Sequence, residues 1–384
     1  MKVTFVSNYI NHHQIPFCRE MYERLGEGFA FIQTEPMEEE RVKLGWQQDE
    51  ELAYVYRSYE KEEYCTNLVM DSDVVIWGGV EDESMLKPRL EAGKMVLRYS
   101  ERLYKTGQWK AVSPRGLWKK YHDHTKYRKG NVYLLCAGAY VSSDFHIIRA
   151  YPDKMLKWGY FPECIEYDVQ ELLQRKPKDR KEILWVGRFI DWKHPELVIV
   201  WVKKLLEKRN DFHVTMIGNG ELQDMVTTLI KENGLEEVIT LAGTKSPKEV
   251  RDIMERANLF LMTSDRQEGW GAVMNEAMNS GCCVIANRME GAAPYLIEHE
   301  ENGYVYGEAD YVDVPQILEK LLGNQKLRNK IGKKAYERIV KEWNAKVATE
   351  RLLEVCKRLS QGEAWKQLWE TGPCSPAEIM KEKK

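Results

Sequence analysis

"EILWVGRFIDWKHPELVIVWVKKLLEKR", residues 182–209, is one complete strand–loop–helix unit. "EILWVG" is an apolar run of strand length ending in glycine, and "PELVIVWVKKLLEKR" spaces its apolar residues for a helix. The polar loop between them carries Arg188 and Lys193. The plan recurs downstream, where the strand-like runs "HVTMIG", "VITLAG", "NLFLMTS" and "CCVIAN" alternate with helix-period segments such as "ELQDMVTTLIKEN" and "PKEVRDIMERA". Upstream, "KVTFVS", "FAFIQ", "DVVIWGG", "KMVLRY" and "NVYLLCAG" follow the same rhythm. Repeated β-α units predict parallel sheets, so the fold class is α/β with two doubly wound halves.

A chain of 384 residues is too long for one ordinary core, which agrees with two domains. The first spans residues 1–165. Residues 166–180, charged and Pro-bearing in "VQELLQRKPKDRKE", read as a linker, and the second domain spans residues 181–345. Beyond residue 311 amphipathic helices replace the sheet pattern, and "KEKK" at the end is expected to fray.

With 43% hydrophobic, 11% aromatic and 30% charged residues, the chain can build cores under a polar surface. No apolar run approaches the ~18 residues of a membrane span, and "MKVTFVSNY" is a strand pattern rather than a signal peptide, so a cytoplasmic protein is expected. The eight cysteines form no C-x-x-C pair and read as reduced core residues, with zinc ligation the alternative. A net charge of -3 speaks against nucleic acid as a partner. The average hides residues 105–130, "KTGQWKAVSPRGLWKKYHDHTKYRKG", where cations interleave with Trp109, Trp118, Tyr121 and Tyr127. Three readings fit this stretch: a solvated helix face, a dock for an acidic acceptor, or a peripheral contact with anionic lipid at the inner face of the membrane. The lipid reading is preferred.

In open parallel sheets ligands bind beyond the carboxyl ends of the strands. There the second half places "GRFIDWK", "GNGEL", "GTKSP" and "DRQEGWG". Glycines let backbone approach a phosphate, and Arg188 with Lys193 would neutralise a diphosphate. A helix is expected to start at the Trp270–Gly271 step, aiming the amides of Gly269, Trp270, Gly271, Ala272 and Val273 at an anion. Glu276 would then lie about 7.5 Å along that helix, its carboxylate turned back toward a diol such as a ribose. Glu268 in the loop would meet the hydroxyls of a second sugar. The pattern describes a site for a nucleotide-diphospho-sugar. Gly218 and Gly220 are read as a tight turn, since Gln223 stands where a dinucleotide fingerprint needs glycine. Asp71 and Asp73 imitate a metal-binding Asp-x-Asp but precede their strand, so they read as a turn, and no metal or cofactor is called for.

"VGRFIDWK", "IGNGEL", "LAGTKSPKEVRDIMERANLFLMTSDRQEGWGAVMNEAMNSGCCVIAN" and "ENGYVY" resemble the donor domain of family 4 glycosyltransferases, the large retaining GT-B group. The resemblance covers most of residues 181–310. It implies a GT-B architecture, two Rossmann-like domains facing a central cleft, with residues 346–384 forming helices that cross back onto the first domain. It also implies that Arg188 and Lys193 bind the diphosphate of a UDP- or GDP-sugar. Glu268 would contact the transferred sugar, Glu276 the ribose, and Gly243, Thr244 and Lys245 would lie beside the base. The first half is less similar, although "KWGYFPE" resembles a subset of bacterial polysaccharide enzymes. His12, His13 and Glu101 occupy the loops where acceptor-side catalytic groups would stand. The expected partners are a nucleotide sugar and a saccharide or lipid-linked acceptor in cell-surface polysaccharide synthesis. Two alternatives stay open: a nucleotide-sugar 2-epimerase of the same architecture, and a catalytically silent partner subunit.

Overall fold

The computed structural model describes residues 1–38 and 52–381, so the last three residues of "KEKK" lie outside the described residues. The chain divides into two compact units, one of residues 1–163 with 344–381, the other of residues 164–343.

The first unit holds a seven-stranded sheet in the order β3-β2-β1-β4-β5-β6-β7, and every pair is parallel. Its strands are β1 Val3–Ser7, β2 Phe29–Gln33, β3 Val55–Arg57, β4 Val74–Trp77, β5 Val96–Ser100, β6 Val132–Ala137 and β7 Met155–Trp158. β1 and β4 are buried at every position, as strands covered on both faces must be. The sequence reading missed β3 and β7, edge strands of three and four residues whose apolar residues are broken by Arg57 and Lys157. The open side of β7 is covered by the C-terminal tail, where the Ala377 amide donates to the Met155 carbonyl and the Lys157 amide to that of Ser375. The helix Ala345–Ser360 belongs to this unit and packs on the helix Ile15–Leu25, with Arg24 2.7 Å from Glu350. The C-terminal helices therefore do return to the N-terminal region.

The second unit holds a six-stranded parallel sheet in the order β10-β9-β8-β11-β12-β13. Its strands are β8 Lys181–Val186, β9 Phe212–Ile217, β10 Ile239–Leu241, β11 Leu259–Met262, β12 Cys283–Asn287 and β13 Tyr304–Tyr306. β13 is another three-residue edge strand absent from the sequence reading. The order reverses between β8 and β11, which creates a switch-point crevice at their carboxyl ends. Residues 166–180, read as a linker, are instead packed into this unit. They carry the helix Val169–Gln174 with Leu172 and Leu173 buried. Lys176 is buried as well, and its Nζ donates to the carbonyls of Ala257 at 2.6 Å and Ser280 at 2.9 Å. Charge misled the reading here because buried carbonyls solvate the ammonium in place of water.

All eight cysteines are free thiols and only Cys164 is not buried. Among the described residues no helix is long and apolar enough to cross a membrane, and no cluster of His, Cys, Asp and Glu has metal-site geometry.

Candidate functional site

The crevice at the carboxyl ends of β8 and β11 gathers the charged side chains singled out above. Leaving β8, the chain presses against the loop after β9. A Cβ on Gly218 would stand 1.9 Å from the Gly187 carbonyl oxygen, and Gly218 itself has φ +133, so only glycine allows this approach. The Gly218 amide donates to Gly243 O at 2.9 Å and the Phe189 amide to Asn219 O at 2.7 Å, which joins three consecutive βα loops by their backbones. Gly243 and Thr244 are exposed and Lys245 half-buried, next to the helix Pro247–Met254 with its Ser246–Glu249 capping box.

Arg188 is exposed, its guanidinium 5.7 Å from the centre of the Trp192 ring, and no carboxylate pairs with it among the described residues. Lys193 is mostly buried and forms an ion pair with Glu268, also mostly buried. The β8 and β11 loops are fastened together beneath that pair. Trp185 Nε1 donates to Thr263 Oγ1 at 2.8 Å, Thr263 Oγ1 donates to the Lys193 carbonyl, and the Asp265 amide donates to Trp192 O at 2.9 Å.

The turn after Glu268 differs from the expected one. Trp270 is fully buried, with its Nε1 donating to Asn275 Oδ1 at 2.9 Å, and it packs with Tyr295 and Trp343. Gly271 takes φ +85, a left-handed step that a right-handed helix cannot contain. The helix therefore runs Val273–Asn279 and begins past the Trp270–Gly271 step, which leaves Glu276 within its first turn, about 4.5 Å along the axis from Val273. The Glu276 side chain is 18% exposed and sits 3.9 Å from Arg251. Burial raises its pKa, with Arg251 opposing in part.

Three groups that the sequence reading passed over complete the site. His194 lies between Glu196 and Asp265. Arg251 reaches Glu276 from the helix Pro247–Met254. Glu290 is fully buried beside the Gly271 turn, accepts from the Ala293 amide at 3.1 Å, and has its pKa pushed well up by burial and then by Glu268. Each stands among other charged residues of its own segment, and no local pattern marks it out from them.

In the first unit the structure brings His12, His13 and Glu101 to the carboxyl edge of the sheet. His12 and His13 pack with ring centres 3.8 Å apart, and His13 stacks parallel to Tyr160 at 6.3 Å. Tyr160 Oη donates to Glu101 Oε1 at 2.6 Å, and Lys105 lies 2.5 Å from the other Glu101 oxygen. Asp73 stands just before β4, accepting from the Lys2 amide at 2.7 Å, at the sheet edge opposite this cluster. The basic stretch forms the helix Pro114–Asp123, none of whose residues is buried. Trp109 and Trp118 are 71% and 66% exposed, yet the helix end is anchored by Arg98, which pairs with Glu83 and donates to Asp123 O at 2.8 Å.

Residues 171–338 match the family described as "Glycosyl transferases group 1". Among curated proteins the chain is 27% identical over 209 residues to the amylovoran biosynthesis glycosyltransferase AmsK of Erwinia amylovora, covering 53% of this chain and 50% of AmsK. It is 30% identical over 154 residues to the uncharacterized glycosyltransferase MJ1178 of Methanocaldococcus jannaschii, covering 40% and 42% of the two chains. The chain thus spans about half the length of the curated relatives it matches. Among solved structures, Anabaena Alr3699/HepE in complex with UDP superposes with a TM-score of 0.69 at 14% identity, covering 94% of this chain and all of that one. That likeness is one of fold, the GT-B arrangement of two Rossmann-like α/β sheets. The match to the group 1 glycosyl transferases thus falls on residues 171–338, the part of the chain that contains the loops building the crevice.

Proposed function

We propose that the chain transfers a glycosyl group from a UDP- or GDP-sugar to a saccharide or lipid-linked acceptor, with retention of configuration, in the synthesis of a bacterial cell-surface polysaccharide. The observation that carries this reading is the Lys193–Glu268 ion pair, which joins the loops after two adjacent parallel strands, one loop carrying Arg188 and the other leading into the helix of Glu276. Arg188 and Lys193 neutralise the diphosphate, aided by the amides of residues 269–273. Glu276 accepts from the ribose hydroxyls and Glu268 from those of the sugar, and Gly218 with Gly243, Thr244 and Lys245 borders the base. Charge develops on the departing phosphate, so fixed cations and backbone dipoles act where they are needed, without a metal ion. The phosphate takes the acceptor proton on the same face of the sugar, and no protein nucleophile is required. His12, His13 and Glu101 serve the acceptor.

The AmsK name supports a polysaccharide product, and HepE was solved with UDP. The exposed tryptophans among the cations of residues 105–130 support attachment to anionic lipid at the inner face of the membrane. The deciding experiment is a thermal-shift panel of nucleoside diphosphates and their sugars. A ligand at a hundred times its dissociation constant adds about 2.7 kcal/mol. No shift with any nucleotide would point to a silent partner subunit, and conversion of the donor sugar without acceptor would point to an epimerase.

A further inference from the structure

His194 immediately follows Lys193, and its backbone is left-handed, φ 46 and ψ 54, a region a non-glycine residue enters only when its surroundings hold it there. Its ring reaches two acids on different segments. Nδ1 is 3.0 Å from Glu196 Oε1 on the following helix, and Nε2 is 3.5 Å from Asp265 Oδ2 in the loop after β11. That loop carries Glu268, whose partner is Lys193.

We infer that His194 is a positioning residue: as an imidazolium held between Glu196 and Asp265, it clamps the Glu268 loop against the Lys193 loop and so sets where the ammonium and carboxylate meet the donor. This rests on the donor-site reading above. The geometry of the bridge supports it. With both ring nitrogens facing carboxylates, the neutral ring, which has one donor, satisfies one acid only, whereas the imidazolium satisfies both. Asp265 first and Glu196 second accordingly hold its pKa up to about 10, and Asp265 itself is kept below its usual range by His194 against the opposing effect of burial. Besides these acids, the charged group nearest in sequence is Lys193, which is turned to Glu268. The clamp also has a direct backbone counterpart, since the Asp265 amide donates to Trp192 O.

Glycine at 194 keeps the left-handed backbone without strain and removes only the ring. His194→Gly is therefore expected to lower the turnover of UDP-glucose or GDP-mannose, whichever the wild type uses, by about tenfold, because misplacement of reacting groups is felt in kcat. UDP or GDP affinity should stay within a few-fold, and added imidazole should restore part of the rate. In the full chain, the ¹⁵N signals of His194 should remain those of an imidazolium to pH 8.5, and should move toward ordinary histidine titration in Glu196→Gln/Asp265→Asn. A neutral ring at pH 7.5, or a His194→Gly enzyme with wild-type turnover, overturns the clamp. If His194→Gly does not fold, His194→Asn, which also tolerates the left-handed region, carries the same kinetic comparison. A wild type that binds no nucleoside diphosphate removes the donor-site reading, while the ring titration still decides whether His194 bridges the two acids.

Discussion

Glu276→Gln separates two effects of one carboxylate. In the folded chain burial raises the Glu276 pKa, and Arg251 at 3.9 Å only partly offsets this. Desolvation therefore outweighs the ion pair, and the charged side chain costs stability wherever it is ionised. The sign follows from linkage: a folded pKa above the unfolded one gives stability that is fully present below the unfolded pKa and lost as pH rises through the folded value. An uncharged glutamine escapes that loss, so the variant without ligand should unfold at a higher temperature than the wild type at pH 8, with the difference closing toward pH 4. Nucleotide binding should move the other way. A hydrogen bond to a charged group contributes about 1.5–3 kcal/mol net and a neutral one about 0.5–1.5, so two ribose bonds weaken together by about 2–3 kcal/mol. That corresponds to roughly 30- to 150-fold in dissociation constant. Calorimetric titration with UDP and GDP, paired with thermal unfolding from pH 4 to 8.5, reads both. A variant that is less stable than wild type at pH 8, or that binds nucleotide equally well, would refute the reasoning.

Gly218→Ala places a Cβ 1.9 Å from the Gly187 carbonyl at a left-handed φ, and should cost about 2–4 kcal/mol, seen as a lower urea midpoint; an unchanged midpoint would show that the loops can part without cost. Asp144→Ala removes the carboxylate 3.4 Å from the buried Arg102 and the acceptor of the Tyr104 amide at 3.0 Å. It should cost about 3–5 kcal/mol in the same assay, and a loss under 1 kcal/mol would mean water replaces the carboxylate. Trp109→Ser/Trp118→Ser should reduce sedimentation with phosphatidylglycerol vesicles at low salt, and 0.5 M salt should release the wild type. Equal sedimentation of variant and wild type would leave the exposed rings without that role.

Much of the fold is legible in local pattern because its central strands, such as "VVIW" and "LFLM", are buried on both faces and read as unbroken apolar runs. The loops after β8 and β11 carry Arg188, Lys193 and Glu268 beside glycines, and Glu276 follows in the next helix, a pattern contained within single segments. The edge strands β3, β7 and β13 were illegible, since "VYR" and "MLKW" break their apolar residues with a cation and "YVY" stands between two glycines, so none offers the unbroken apolar run of β4 or β11.

The chain's own residues thus determined that it forms parallel β-α units and that the strands of its second half lead into loops bearing glycines, Arg188, Lys193 and Glu268. Tertiary structure alone decided which loops meet. Strand order 10-9-8-11-12-13 lays β8 beside β11, and only then does Lys193 find Glu268, His194 find Asp265 and the Gly271 turn find the buried Glu290. The physical reason is that apolar periodicity and turn chemistry act between neighbours along the chain. Strand order, by contrast, is selected by the burial of the whole sheet, and no single segment records it.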